Sequence, residues 1–308
     1  MKPTTTLIAA ALAAAMALPA AAQERVSIGT GGTGGLFYII GAGMAELLTE
    51  HMPGTTARAE VTGASIENIR RTSAGEMELG FSSSSTLYEA ATGTGAFDGE
   101  AMPVAALAYL YPAVLQIATV QRTGITSIDE LAGRSISLGP PGSNAAVLAQ
   151  RLLEHYGVFD PGRAQFLSFA EGANAVSAGT LDAAVVLAGA PVAALIDLDA
   201  RDDMVLLSVD ADRVEGLLED FPFYQLFEIA PDTYSGVSEP TLVINDPATL
   251  FVHAEAEADF VTAMTAAIFD NLDTLGEIHP LARRITHETA PNVPIPLHPG
   301  AEAYFANH

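Results

Sequence analysis

Apolar and polar positions along this chain fall into blocks that predict one strand–loop–helix unit after another. Residues 26–28 form a short apolar strand, 29–35 is glycine broken only by Thr30 and Thr33, and an apolar, helix-compatible run covers Leu36–His51. Pro53 and Gly54 stop that helix, and 56–61 reads as a second strand. Residues 62–68 repeat the entry, with Ser65 placed to cap a helix that carries Arg70 and Arg71 and ends near Gly75. A third strand at 78–81 empties into five hydroxyl residues, Ser82 to Thr86, ahead of a helical 87–91.

The pattern then recurs. Residues 104–120 can support two strands, 126–133 a short capped helix, and 135–138 a strand. Gly139-Pro140-Pro141-Gly142-Ser143-Asn144 leads into a helix over 145–156. Further strands are expected at 165–169, 183–186 and 205–208, with Pro191 in the first turn of a helix, where proline is tolerated. Residues 241–252 look like strand with an Asn245-Asp246-Pro247 turn, and 255–275 like one long amphipathic helix. Open α/β sheets bind ligands at the carboxyl ends of their strands. Two sets of such loops predict two lobes with a cleft between them.

The ends change where this protein is expected to work. A basic start at Lys2, an apolar 7–18 and the Ala20-Ala21-Ala22 site read as a secretory leader cleaved after Ala22. The apolar stretch is too short to span a bilayer, so a soluble periplasmic product is expected. With Lys2 gone, twelve Arg face 37 Asp and Glu, a net charge of −25. That excludes a nucleic-acid partner and direct lipid binding, and an anionic ligand must be held by local dipoles against the global field. There is no cysteine, so thiolate chemistry and disulfides are excluded. A monomer is the default.

The 29–35 loop has two readings. Gly29-x-Gly31-x-x-Gly34 fits a dinucleotide fingerprint, with Glu50 or Glu60 as the ribose acid. Alternatively the loop and the helix N-terminus after it form an anion cradle in a binding protein. A leader disfavours the first, which survives as a secreted dinucleotide- or phosphate-binding enzyme. Seven histidines lack metal-ligand spacing, and Ser65 and Ser143 lack a nucleophile-elbow frame, so no metal, cofactor or catalytic residue is expected.

Six stretches, in this order, resemble the TAXI family, the solute-binding proteins of TRAP transporters: RVSIGTGGTGGLFYIIGAG (25–43), TGASIENIR (62–70), GEMELGFSSSSTLYEAATGTGAF (75–97), ITSIDELAGRSISLGPPGS (125–143), LAGAPVAALIDL (187–198) and PLHPGAEAYF (296–305). The resemblance implies an α/β, two-lobed periplasmic substrate-binding fold of type II with the ligand cleft between the lobes. The first lobe is expected at 23–112 plus 243–308 and the second at 113–242; the facing loops with two chain crossings between them place hinge strands near 108–120 and 241–252. The resemblance further implies a non-catalytic receptor that hands a small organic carboxylate to a sodium-coupled TRAP permease; members are associated with glutamate, glutamine and dicarboxylates. Carried over by position, Gly32, Thr33, Gly35 and Tyr38 form one wall, and Ser65, Asn68, Ser83 and Ser85 add polar contacts. Gly142, Ser143 and Asn144, with Ala190 and Pro191, come from the second lobe. Where many relatives have an acid, this chain has Ser85, and no acid stands among the expected contacts. That favours a dicarboxylate or keto acid over glutamate.

Overall fold

The computed structural model describes residues 24–33 and 35–308; the expected leader and Gly34 lie outside them. The chain runs β1 (Glu24–Gly29), α1 (Leu36–His51), β2 (Thr55–Glu60), α2 (Ser65–Ser73), β3 (Leu79–Ser83), α3 (Ser84–Thr92), β4 (Val104–Tyr111) and β5 (Val114–Val120). It continues β6 (Ile136–Ser137), α4 (Asn144–His155), β7 (Ala164–Gln165), α5 (Phe169–Ser177), β8 (Ala183–Ala188), α6 (Ala193–Asp199), β9 (Met204–Leu206) and α7 (Ala211–Asp220). Then come β10 (Gln225–Ile229), β11 (Thr241–Asn245), β12 (Ala248–His253), α8 (Ala258–Phe269), α9 (Leu272–Ile278) and α10 (Pro299–Phe305).

The strands build two sheets. One has the order β2-β1-β3-β12-β4, the other β10-β11-β5-β8-β6-β7 with β9 on β5. In the first, β1 is parallel to β2 and β3, so three successive strands point their carboxyl ends to one edge. In the second, β6 is parallel to both β7 and β8. Every residue of β3 and of β5 is buried, as expected of strands covered on both faces. Helices supply the cover. Met44 and Leu48 of α1 and Met264 and Ile268 of α8 pack on one face of the first sheet; Ile69 and Leu87 belong to a cluster with Phe251. The second sheet lies between Leu148 and Leu152 of α4 on one side and Val176 and Leu195 on the other.

The chain passes between the sheets twice, at Pro112-Ala113 and at Asp246-Pro247. These crossings lie side by side, because the Asp246 N–H donates to the Ala113 carbonyl at 2.9 Å. The second lobe boundary, expected at 242/243, is corrected: all of β11 pairs with β10, so 243–245 belong to the second sheet. Asn245-Asp246-Pro247 is a crossing between sheets rather than a turn, since proline carries no donor and forces its predecessor out of a regular ladder.

Two elements also differ from expectation. The strand over 165–169 stops at Gln165, because Ser168 and Glu171 form a capping box that opens α5. The long helix over 255–275 breaks at Asp270-Asn271 into α8 and α9.

Candidate functional site

The first lobe brings three helix N-termini to the carboxyl edge of its parallel strands. Gly35 caps α1, Ala64 caps α2 and Ser83 caps α3, none with a side-chain hydrogen bond to the helix. The first-turn N–H groups of a helix have no acceptor within it, so the termini of α1 and α2 offer donors and the positive end of the dipole, whereas at α3 the Ser84 and Ser85 amides are taken by the Pro247 carbonyl and by Asp246. Ala64 holds φ 67° and ψ −146°, a conformation costly for a residue with a Cβ, at the turn between β2 and α2. From the second lobe, α4 begins at Asn144, with the Ser143 hydroxyl accepting from the Ala146 N–H at 3.3 Å.

The expected wall residues divide. Gly32 and Thr33 sit exposed at the loop tip, and the Gly35 N–H closes the turn onto the Gly32 carbonyl at 2.8 Å. Ser65 is buried and its hydroxyl accepts from the Ser83 N–H at 3.1 Å, which joins the second and third loops. Tyr38 lines a shallow groove with Ala42, Ala45, Thr49 and Ala57, between α1 and the edge strand β2. Asn68 is corrected. It is wholly buried, its amide donates to the Thr30 and Phe81 carbonyls at 2.8 Å each, and its carbonyl accepts from the Thr62 hydroxyl at 2.6 Å. Both amide hydrogens are spent on main-chain carbonyls. Gly29 is glycine for this reason: a Cβ there would stand 2.6 Å from Asn68 Oδ1.

Asn144 crosses from the second lobe to the first. Its carbonyl accepts from the Thr86 hydroxyl at 3.0 Å, and its amide nitrogen donates to Ser83 Oγ, to Ser85 Oγ at 3.3 Å and to Asp246 Oδ2 at 3.5 Å. The Ser85 amide and hydroxyl also donate to Asp246, at 2.9 and 2.6 Å. Asp246 is completely buried, and burial pushes its carboxyl up to about 6, opposed by the hydrogen bonds from Ser85 and Asn144. The second crossing thus places a buried acid directly against Ser85, one of the expected contacts. The available signal was an aspartate wedged before proline between two apolar runs.

A second part of the seam is formed by α3 and α4. Arg151 donates to Glu89 at 2.6 Å and to the Tyr224 hydroxyl at 2.9 Å, and its guanidinium lies 4.3 Å from the Phe221 ring centre. Tyr88 meets Phe223 with ring centres 5.2 Å apart. On the turn after β8, Ala190 is half-buried and packs with Phe227 and Val114, while Pro191 is exposed. The turn is held by the Val192 N–H donating to the Tyr234 hydroxyl, which donates in turn to the fully buried Gln116. Gly142 is exposed with φ 72°, in the turn that aims Ser143 and Asn144.

Other chemistry finds no frame. Glu60 is paired with Arg58 and Arg71, both at 2.8 Å, so this candidate ribose acid is engaged; Arg71 also reaches Glu67 and Glu76. His298 is buried and caps α10, His279 caps the turn at Pro280–Arg284, and His287 meets the Tyr304 hydroxyl at 3.1 Å. Among the described residues no group of three or more His, Asp or Glu is arranged to hold a metal, and no helix is long and apolar enough to cross a membrane.

Residues 28–308 match the model of the NMT1-like family. The chain is similar in structure to the periplasmic aliphatic sulphonate binding protein SsuA from Escherichia coli, with TM-score 0.51 and 13% identity over 92% of this chain and 83% of that one. It is also similar to PhnD1 from Prochlorococcus marinus in complex with methylphosphonate (TM-score 0.52, 12% identity, 85% and 90% covered). A third similarity is to XAC2383 from Xanthomonas citri bound to chloride ion (TM-score 0.54, 9% identity, 92% and 95% covered). At such identities the likeness concerns the fold, which is the α/β, two-sheet fold of periplasmic solute-binding proteins.

Proposed function

The chain belongs to the NMT1-like family, and from that premise we propose that it is a periplasmic solute receptor, not an enzyme, that holds a small organic anion between its lobes. The observation that carries this is the seam itself. Helix N-termini at Leu36 and Ser65, without side-chain caps, come from one lobe and the N-terminus at Asn144 from the other. Such donors suit oxyanions, and in so acidic a chain only local dipoles can hold one.

Within that class the ligand proposed is a carboxylate, and the delivery route a TAXI-type TRAP permease, on the strength of the six ordered motifs. The leader expected at 1–22 fits delivery to the periplasm. Structurally similar proteins named for sulphonate and methylphosphonate supply the rival anion classes. A titration calorimetry panel of dicarboxylates, 2-oxo acids, amino acids, alkanesulfonates, alkylphosphonates and NADH tests the reading. Saturable binding of a carboxylate is expected. Binding of sulfonate or phosphonate alone would move the substrate class, and binding of NADH alone would overturn the receptor.

A further inference from the structure

Three acceptor oxygens converge on one nitrogen at the seam. Ser83 Oγ, Ser85 Oγ and Asp246 Oδ2 all face the Asn144 amide nitrogen, which has only two hydrogens to give. The amide is turned this way because Thr86 donates to its carbonyl, leaving the nitrogen aimed at the oxygens. Behind them stands a carboxylate that is completely buried and touches no cation; its partners are Ser85 and Asn144. The nearby Arg151 is committed to Glu89 and Tyr224. Glu89 adds negative potential at Asp246 rather than relieving it. An ionised carboxylate in such a place is costly until a positive charge joins it.

We propose that Ser83, Ser85 and Asp246 form a site for one compact monovalent cation, carried by a primary ammonium group or by a bare alkali-metal ion, and that Asn144 plugs the site when the cation is absent. One carboxylate matches one positive charge; divalent ions draw on several carboxylates or strict octahedral geometry. An ammonium has three hydrogens for the three oxygens, one more than the amide it displaces. Asn144 rides on α4 of the second lobe, whereas Ser83 and Ser85 belong to the first. Movement of the lobes therefore withdraws or inserts the plug, and cation binding and lobe geometry are coupled. This rests on the receptor reading only for the site's place in the cleft, and it is tested without any organic anion.

The mature chain is melted in choline chloride, sodium chloride and methylammonium chloride at matched ionic strength. A cation at about ten times its Kd should raise the Tm by about 2–4 °C over choline. A response to methylammonium alone assigns the site to an ammonium group, and one to sodium alone to the bare ion; either supports the site. Asn144→Ala removes the competitor, so the same rise should occur at a lower cation concentration. Asp246→Asn should abolish the response. If that variant does not fold, Ser83→Ala, which leaves the Asp246–Ser85 pair intact, should shift the dose response to higher concentration. Equal melting in all three salts for both wild type and Asn144→Ala overturns the proposal, as does an undiminished response in Asp246→Asn or, where that variant does not fold, in Ser83→Ala. Failure of every organic anion to bind would leave this result untouched, so the two readings fail separately.

Discussion

Asp246 accepts two hydrogen bonds from Ser85, from its amide at 2.9 Å and from its hydroxyl at 2.6 Å, across 161 residues of chain. The pair pins the loop after β3 to the crossing between the lobes. Its carboxyl titrates near 6 because burial disfavours the charge more than Ser85 and Asn144 favour it.

That displacement fixes a pH dependence. The folded value lies above the ordinary 3.8, so between these values the native state binds more protons than the unfolded chain. The contribution of Asp246 to stability is full below about pH 4, falls as pH rises to about 6, and is flat above; the swing is about 3 kcal/mol. Asp246→Asn removes it. Urea denaturation of both proteins from pH 4 to 7.5 should show the variant gaining on wild type as pH rises, and a constant difference would refute the assignment. Carboxylates whose values are lowered, such as Asp182 and Glu171, titrate in both proteins and drop out of the difference.

Asn68 should act on stability alone. Asn68→Ala removes three buried hydrogen bonds, although the Thr62 hydroxyl and the Thr30 carbonyl keep their own bond at 3.2 Å, a loss of about 1–3 kcal/mol. Asn68→Asp should be worse, since a carboxylate would face the Thr30 and Phe81 carbonyls. Chemical denaturation gives the loss, and calorimetry on the folded fraction should return an unchanged ligand affinity. A tenfold weaker affinity with intact stability would restore Asn68 to the binding wall.

Local chemistry was legible wherever one segment decides its own structure. Leu36–His51 falls where the pattern places it, as does the strand pair within 104–120. Glycine loops at strand ends announced the two lobes. What sequence spacing could not carry was the direction of a side chain at a loop edge. Ser65 and Asn68 lie one helical turn apart, yet the first joins two loops at the edge while the second turns inward to hold Thr30 and Phe81. Asp246 escaped for a different reason. Its importance comes from Ser85 and Asn144, both more than 100 positions away, and no local pattern encodes that meeting.

Gly189 marks another place where the lobes touch. A Cβ there would stand 2.2 Å from Leu281 Cδ1, a residue of the first lobe. Gly189→Ala should therefore push the 280–284 turn away and lower the Tm by about 4 °C or more, at a cost of about 1–3 kcal/mol for overpacking. Leu281→Ala in the same chain should recover most of the loss, because it empties the space the methyl needs. A double variant no more stable than Gly189→Ala would show that the glycine serves its own turn and not the contact.

The lobes join only at residues 112–113 and 246–247, so contacts along the seam should set the angle between them. Arg151 is held in place by its own lobe, through Phe221 and Tyr224, and only Glu89 lies across the seam. Glu89→Gln keeps the volume and removes the charge, so it isolates the crossing contact. Both side chains retain some exposure, 13% for Glu89 and 20% for Arg151, which discounts the pair to about 0.5–1.5 kcal/mol. That is about two- to tenfold in the equilibrium between closed and open lobes. Small-angle scattering should give Glu89→Gln a larger radius of gyration than wild type without ligand. Saturating ligand should bring both to the same compact value, because closing by hinge bending recovers the cost from ligand contacts. Ligand affinity should fall by the same factor. Identical radii and identical affinities would mean that the angle is set at the crossings, where Asp246 donates to Ala113, and not by the helices α3 and α4.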